Sequence, residues 1–124
     1  MPHSILIVDD AEFMRVMLRD IVEEMGCQVV GETGHGKRAA RMYEDLRPDL
    51  VLLDITMPDR DGTEALADIL AVDPAARVVM ISALGQKNQV LTAIKAGAQD
   101  FVVKPFDHER VRETLAALLE PASV

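Results

Sequence analysis

Ile5-Leu-Ile-Val8 is a short, continuous aliphatic run that ends directly in Asp9-Asp10. Four more apolar runs follow it along the chain: Val29-Val30, Leu50-Val-Leu-Leu53, Val78-Val-Met-Ile81 and Phe101-Val-Val103. Most of these runs are continuous rather than alternating in polarity, which is typical of strands that are buried on both faces of a parallel sheet. The sequence therefore predicts five buried strands.

Segments with helical periodicity separate these runs. In the first segment, apolar residues recur at every third or fourth position from Met14 to Met25. Four further stripes follow: Ala39, Tyr43 and Leu46; Leu66, Ile69 and Leu70; Val90, Leu91 and Ile94; and Val111, Leu115 and Leu118. Gly26 and Gly97 stand just after two of the helices, where glycine often ends a helix. Because parallel crossovers are right-handed, the alternation of strands and helices predicts an α/β fold with an open, doubly wound parallel sheet.

Length and charge limit the classes of function. The chain has 124 residues and a formal charge of −8, which favours one domain over residues 1–124 and argues against a nucleic-acid partner. No apolar run has the roughly 18 residues that a membrane helix needs, and no signal peptide is visible. Cys27 is the only cysteine, as is typical of proteins in a reducing compartment. We therefore expect a cytoplasmic protein without a membrane partner.

Polar residues follow four of the five predicted strands, namely Asp9 and Asp10, Asp54, Ser82 and Lys104. In open α/β sheets, ligands bind beyond the carboxyl ends of the strands. Each residue alone has an ordinary interpretation, as a helix cap, a turn residue, a loop hydroxyl or a solvated charge. Helix capping does not explain why three acids and a lysine meet at one edge, so the pattern indicates a site.

The residue types at this edge point to phosphoryl transfer. Neighbouring carboxylates repel one another unless a cation lies between them, and Mg²⁺ combines carboxylate ligands with water and a phosphate oxygen. An aspartate can accept a phosphoryl group as a nucleophile. A lysine and a serine hydroxyl can stabilise the oxygens of that group. Phosphoryl transfer depends mostly on positioning and charge stabilisation, so these few residues are sufficient.

Together these segments resemble the receiver domain of two-component response regulators. The motifs that carry the resemblance span the chain: Asp9-Asp10, Asp54-Ile-Thr-Met-Pro-Asp-Arg-Asp-Gly62, Ser82-Ala83 and Lys104-Pro105-Phe106. The resemblance implies a flavodoxin-like sheet of five parallel strands in the order 2-1-3-4-5 with five helices. It also implies a single receiver domain over residues 1–124 without an output domain. Ser82-Ala-Leu-Gly-Gln86 and Lys95-Ala-Gly-Ala98 are similar to segments of the chemotaxis members of this family.

The resemblance assigns the metal and the phosphoryl group to named residues. It implies that Asp54 is the phosphoacceptor. Mg²⁺, or Mn²⁺ in its place, would be held by Asp9, Asp10, Asp54 and the backbone carbonyl of Thr56. The protein would catalyse only its own phosphorylation and dephosphorylation, so it is not expected to be an enzyme with an external product.

The resemblance also implies a switch beside the phosphoacceptor. Ser82 and Lys104 would bind the phosphoryl group. Ser82 and Phe101 would change position when that group arrives, and the Lys104–Pro105 bond is expected to be cis. Many family members have tyrosine at the position of Phe101, so here the switch would depend on the ring alone.

The partners that the resemblance implies are a sensor histidine kinase of the CheA type, a flagellar motor switch protein of the FliM type and a phosphatase, with the receiver as a monomer. A second interpretation is a phosphorelay receiver that passes its phosphoryl group to a histidine phosphotransfer protein. A remote third is a nucleotide-binding protein, because Gly31-Glu-Thr-Gly-His-Gly-Lys37 is nearly a P-loop. Arg38, however, stands where a P-loop has serine or threonine.

Overall fold

The computed structural model describes residues 2–119, which form five parallel strands alternating with five helices. In chain order they are β1 (Ser4–Val8), α1 (Glu12–Glu24), β2 (Gln28–Thr33), α2 (Gly36–Leu46), β3 (Leu50–Asp54), α3 (Gly62–Val72), β4 (Val78–Ala83), α4 (Lys87–Ala96), β5 (Asp100–Lys104) and α5 (His108–Leu119). The predicted fold class is confirmed. Residues 120–124, expected to follow the last helix, lie outside the described residues.

The strands are arranged in the order β2-β1-β3-β4-β5, and all neighbours are parallel. The chain leaves β1 toward one edge of the sheet and returns to its other side at β3, so the strand order reverses between these two strands. Asp54 lies opposite Ile81, and Ser82 lies opposite Val103. This register brings the carboxyl ends of the central strands level with one another.

The central strands β1, β3 and β4 send alternate side chains into two separate cores, one on each face of the sheet. Leu6, Val8, Val51 and Leu53 pack with residues of α2, α3 and α4, whereas Ile5, Ile7, Leu50 and Leu52 pack with residues of α1 and α5. Both sets are almost completely buried. This two-sided burial explains why the strand sequences are continuous apolar runs.

Glycines end two of the helices as the sequence predicts. Gly26 follows α1 with φ +84°, and Gly97 follows α4 with φ +127°. Both angles lie in the region that side chains with a Cβ rarely adopt. Arg47 ends α2 in the left-handed conformation although it is not glycine, with φ 45°, and the sequence contains no signal for it.

The stripe of α4 is less buried than its periodicity suggests. Val90 is buried, but Leu91 is 47% exposed and Ile94 is 38% exposed. Leu46 at the end of α2 is also exposed in part. In the helix stripes, apolar periodicity located the helices correctly without showing which side chains the core covers. Across residues 2–119, every helix is too short or too polar to cross a membrane.

Candidate functional site

Three carboxylates meet at the carboxyl ends of β1 and β3. Asp9 and Asp10 follow β1 directly, and Asp54 is the last residue of β3. Oxygen atoms from the three side chains lie within 4.8 Å of one another. Asp9 and Asp54 are buried, whereas Asp10 faces solvent. The structure thus brings together the three acids that the sequence pattern places at one edge of the sheet.

Lys104, the last residue of β5, points at two of these carboxylates. Its Nζ lies 3.3 Å from Oδ2 of Asp9 and 3.5 Å from Oδ1 of Asp54. Its side chain is 23% exposed, so it is not a freely solvated charge. The Lys104–Pro105 peptide bond is cis. Because the site combines three carboxylates with one ammonium, negative charge predominates there when the acids are ionised.

Among the described residues, the buried atoms Asp9 Oδ2 and Ser82 Oγ lack a hydrogen-bond partner, and the first of them has only the ion pair with Lys104 Nζ at 3.3 Å. Asp9 Oδ1, in contrast, accepts a hydrogen bond of 2.9 Å from the N–H of Ala11. Proteins rarely leave buried polar atoms unpaired, since each costs about 1–3 kcal/mol. A carboxylate oxygen beside two other acids is the kind of hard ligand that Mg²⁺ binds. The donor set therefore fits that ion.

Burial raises the pKa of Asp54 to about 6. The charge of Asp9 acts in the same direction, and that of Asp10 adds to it. Lys104 opposes these effects, as does the N–H of Thr56, which donates to Asp54 Oδ1 at 3.3 Å. Asp54 is consequently ionised for the most part at neutral pH, and ionised is the form in which a carboxylate is nucleophilic.

A tight loop holds the backbone of Asp54 against the start of α3. The N–H of Gly62 donates to the carbonyl of Ile55 at 2.6 Å. A Cβ at Gly62 would lie 2.2 Å from the carbonyl oxygen of Asp54, so this position accepts only glycine. Asp61 caps α3 by accepting the N–H of Thr63 at 2.7 Å. The helix cap and the close approach together fix where Asp54 stands.

Ser82 and Phe101 line a common cavity between β4, β5 and α4. The cavity has a volume of about 590 Å³, and its wall is mainly apolar, with Val90, Leu91 and Ile94 on the helix side. Ser82 is buried with its hydroxyl unpaired, which excludes its interpretation as a loop hydroxyl bonded to nearby backbone. The Phe101 ring is partly buried. One wall of the acidic site is therefore also one end of an apolar groove.

Two residues at the site had no role in the sequence interpretation. Arg15 donates to the backbone carbonyl of Asp9 at 2.6 Å and pairs with Glu32 of β2. Gln86 forms hydrogen bonds with Ala83 and Thr56. Gln86 lies in a segment that carries the family resemblance and Arg15 does not, and the partners of both residues are distant in sequence or belong to the backbone. No local pattern identifies such contacts.

The N-terminus of α2, where a P-loop would hold phosphate, already has an anionic partner. Oδ1 and Oδ2 of Asp59 accept the N–H groups of Gly36 and Lys37 at 3.0 and 3.1 Å. Partial desolvation of the carboxylate acts to raise the pKa of Asp59, but these hydrogen bonds lower it by more. Asp59 therefore stays ionised. A carboxylate in this position competes with a nucleotide phosphate, which argues against the nucleotide-binding interpretation.

The strand order, the two-sided core and the acidic cluster define a class of protein, the receiver domain. The family described as Response regulator receiver domain matches residues 5–116. The chain therefore belongs to the response regulator receiver family.

The relatives include chemotaxis regulators. The chemotaxis protein CheY of Listeria monocytogenes is 54% identical over 112 residues, which are 90% of this chain and 94% of the relative. CheY of Bacillus subtilis is 51% identical over 115 residues, covering 93% of this chain and 96% of the relative. A chain in the crystal structure of the CheX–CheY–BeF3–Mg²⁺ complex from Borrelia burgdorferi superposes with a TM-score of 0.92. It is 36% identical, and the alignment covers 98% of this chain and 92% of that one.

Proposed function

We propose that this chain is a phosphorylation-activated response regulator of chemotaxis, in which Asp54 accepts a phosphoryl group from a sensor histidine kinase in the cytoplasm. The observation that carries the proposal is a pair of buried atoms beside Asp54 that lack a hydrogen-bond partner, namely Asp9 Oδ2, whose one close contact is the ion pair with Lys104, and Ser82 Oγ. The first is a ligand for a cation, and the second is a donor for an anion. A phosphoryl group with its metal ion satisfies both.

In the proposed transfer, an oxygen of Asp54 attacks phosphorus while the P–N bond to the kinase histidine breaks, and the imidazole keeps the electron pair and takes up a proton. Lys104 offsets the charge on the phosphoryl oxygens from its position 3.5 Å from Asp54 Oδ1. Asp9, Asp10 and Asp54, with the backbone carbonyl of Thr56, would hold Mg²⁺ or Mn²⁺. That ion supplies charge neutralisation and orientation. Hydrolysis later restores the carboxylate, so no external substrate is turned over.

The proposed output starts at Ser82. Its unpaired hydroxyl gains a hydrogen bond by moving toward a phosphoryl group on Asp54, and this movement vacates space for the ring of Phe101. Both side chains line the apolar groove against α4, so the shape of the groove changes with them. A partner that binds the two shapes with different affinity shifts the population toward one of them. We infer that this partner is a flagellar motor switch protein.

Activation is expected to strengthen binding of an N-terminal peptide of a FliM-type motor switch protein by about tenfold, a usual size of coupling between two sites. The measurement is fluorescence anisotropy of a labelled peptide, with and without beryllofluoride and Mg²⁺. Asp54→Asn is the control, because it lacks the acceptor and should not respond. The phosphorelay interpretation would be favoured instead if the affinity for the peptide did not change with the phosphoryl mimic and the phosphoryl group passed rapidly to a histidine phosphotransfer protein.

Mg²⁺ is expected to stabilise the fold more at about pH 7.5 than at about pH 5. The folded-state pKa of Asp54, about 6, lies above its ordinary value of 3.8, so the folded protein retains a proton that the unfolded chain has already released. Asp54 therefore makes the metal-free fold less stable as the pH rises through this window. Below it, the proton competes with the metal ion for the same carboxylate.

Differential scanning fluorimetry at both pH values measures this effect. At a tenfold excess of Mg²⁺ over its Kd, the expected increase in Tm at the higher pH is about 3–6 °C. Asp9→Asn should abolish most of the increase. Equal shifts at the two pH values would show that the ion binds elsewhere.

A further inference from the structure

The carboxamide of Gln86 joins the two loops that flank Asp54. Its Oε1 accepts the N–H of Ala83 at 2.6 Å, and its Nε2 donates to Oγ1 of Thr56. Thr56 in turn donates its N–H to Asp54 Oδ1 at 3.3 Å. Within residues 2–119, no other side-chain hydrogen bond connects the β3–α3 loop with the β4–α4 loop. Glutamine suits this position because one carboxamide is both a donor and an acceptor.

Little else restrains the β4–α4 loop. Leu84 is 78% exposed, and nothing lies within 4 Å of the position that a Cβ on Gly85 would take. The backbone hydrogen bond from Gln86 to the carbonyl of Ala83 is long, at 3.4 Å. Apolar packing therefore does not anchor this loop, and the side chain of Gln86 becomes its main polar anchor.

The loop is held in an arrangement that leaves a neighbouring group unsatisfied. Ser82 immediately precedes Ala83, and its buried hydroxyl has no partner. An unpaired buried hydroxyl costs free energy, and movement of Ser82 toward a phosphoryl group on Asp54 would remove that cost. Gln86 also stands at the start of α4, where its carbonyl accepts the N–H of Val90 at 3.0 Å. A contact at Gln86 thus acts on Ser82 and on the first turn of α4 together.

We propose that Gln86 is a latch, a positioning residue that holds the β4–α4 loop in its unphosphorylated arrangement by tying Ala83 to Thr56. This inference rests on the proposed phosphoryl acceptance at Asp54. Release of the bond to Thr56 is then part of the response to phosphorylation. The free energy needed to break that bond weakens the binding of a phosphoryl group at the site by the same amount.

Removing the latch should tighten the binding of a phosphoryl mimic. Gln86→Ala is expected to bind beryllofluoride in the presence of Mg²⁺ about 3- to 10-fold more tightly than the natural chain, which corresponds to the net strength of one hydrogen bond. The chain has no tryptophan to report binding by its fluorescence, so isothermal titration calorimetry or ¹⁹F NMR is the appropriate measurement. Neither readout depends on a kinase.

A second variant tests the other end of the latch. Thr56→Val removes the hydroxyl that Gln86 contacts but keeps the backbone and the shape of the side chain. It should give the same gain in affinity, and the double variant should gain no more than either single variant, because both remove one contact. Gln89→Ala, which changes an exposed glutamine in the first turn of α4, is the matched control and should bind like the natural chain.

Unchanged or weaker binding of beryllofluoride by Gln86→Ala would overturn the latch. The latch would also be overturned if the gains in affinity of Gln86→Ala and Thr56→Val added up in the double variant. If the natural chain itself bound no beryllofluoride, the proposed phosphoryl site would be wrong, which is a different and separately visible result. Circular dichroism and thermal unfolding of each variant verify that it is folded.

Discussion

Asp54→Asn is expected to abolish labelling of this protein by a small phosphodonor. The amide is close in size to the carboxylate but is not nucleophilic, so no acyl phosphate can form on it. The other acids of the cluster do not substitute. Asp9 is fully buried and its Oδ1 is bound to the N–H of Ala11, whereas Asp10 is exposed to solvent. Incubation with acetyl phosphate and Mg²⁺, followed by intact-mass spectrometry, measures the adduct.

The nature of the adduct is part of this test. An acyl phosphate on Asp54 survives acid and is lost in base. Asp20→Asn, which changes an exposed acid on α1, is the matched control and should label like the natural chain. Labelling of Asp54→Asn at the natural level would remove the proposed phosphoacceptor, whatever the fold.

Gly62→Ala is expected to destabilise the fold by about 3 kcal/mol or more, at the upper end of what overpacking costs. The new Cβ would lie 2.2 Å from the carbonyl oxygen of Asp54 and 2.6 Å from Cα of Ile55. Both obstacles are backbone atoms, so no side-chain rotation relieves the clash. Denaturation in urea measures the free energy of unfolding. Loss of metal binding should accompany the loss of stability, because the loop that the clash displaces begins directly after Asp54.

Gly31→Ala is the matched control for this substitution. A Cβ at Gly31 would lie 2.7 Å from Cδ1 of Leu46 and 2.9 Å from Cε of Met42, which are the ends of flexible side chains. Small rotations relieve these contacts, so the expected cost is about 1 kcal/mol or less. Equal destabilisation by the two variants would show that the rigid backbone around Asp54 is not what makes Gly62 necessary.

The fold could be predicted because its signals are local. Continuous apolar runs such as Leu50–Leu53 identify strands that are covered on both faces, and the glycines at 26 and 97 mark where helices end. Arg47 shows the limit of such signals, since a residue with a Cβ takes the left-handed conformation there. Some apolar side chains, such as that of Leu91, stay exposed because of the way in which their helix packs on the sheet. The periodicity of the sequence carries no information about this packing.

The candidate site was partly predictable for a topological reason. Parallel strands deliver their last residues to one edge, so Asp54 and Lys104 could be brought together from the positions of the strands alone. The contacts of Gln86 and Asp59 could not be predicted in this way, because each residue contacts a loop or a helix more than twenty residues away in the chain. Their geometry depends on loop conformation, which no periodic pattern describes.

The helices differ in how many buried side chains hold them to the sheet. On one side of the sheet α1 inserts four buried side chains, Met14, Leu18, Ile21 and Val22, whereas on the other side α4 inserts only Val90 and Ala93. A helix with so few anchors can be displaced at a small cost in free energy while the sheet and its opposite layer stay in place. α4 is thus an easily moved lever, whereas α3 on the same face buries Ala65, Leu66 and Ile69 and belongs with α1 to the stiff frame.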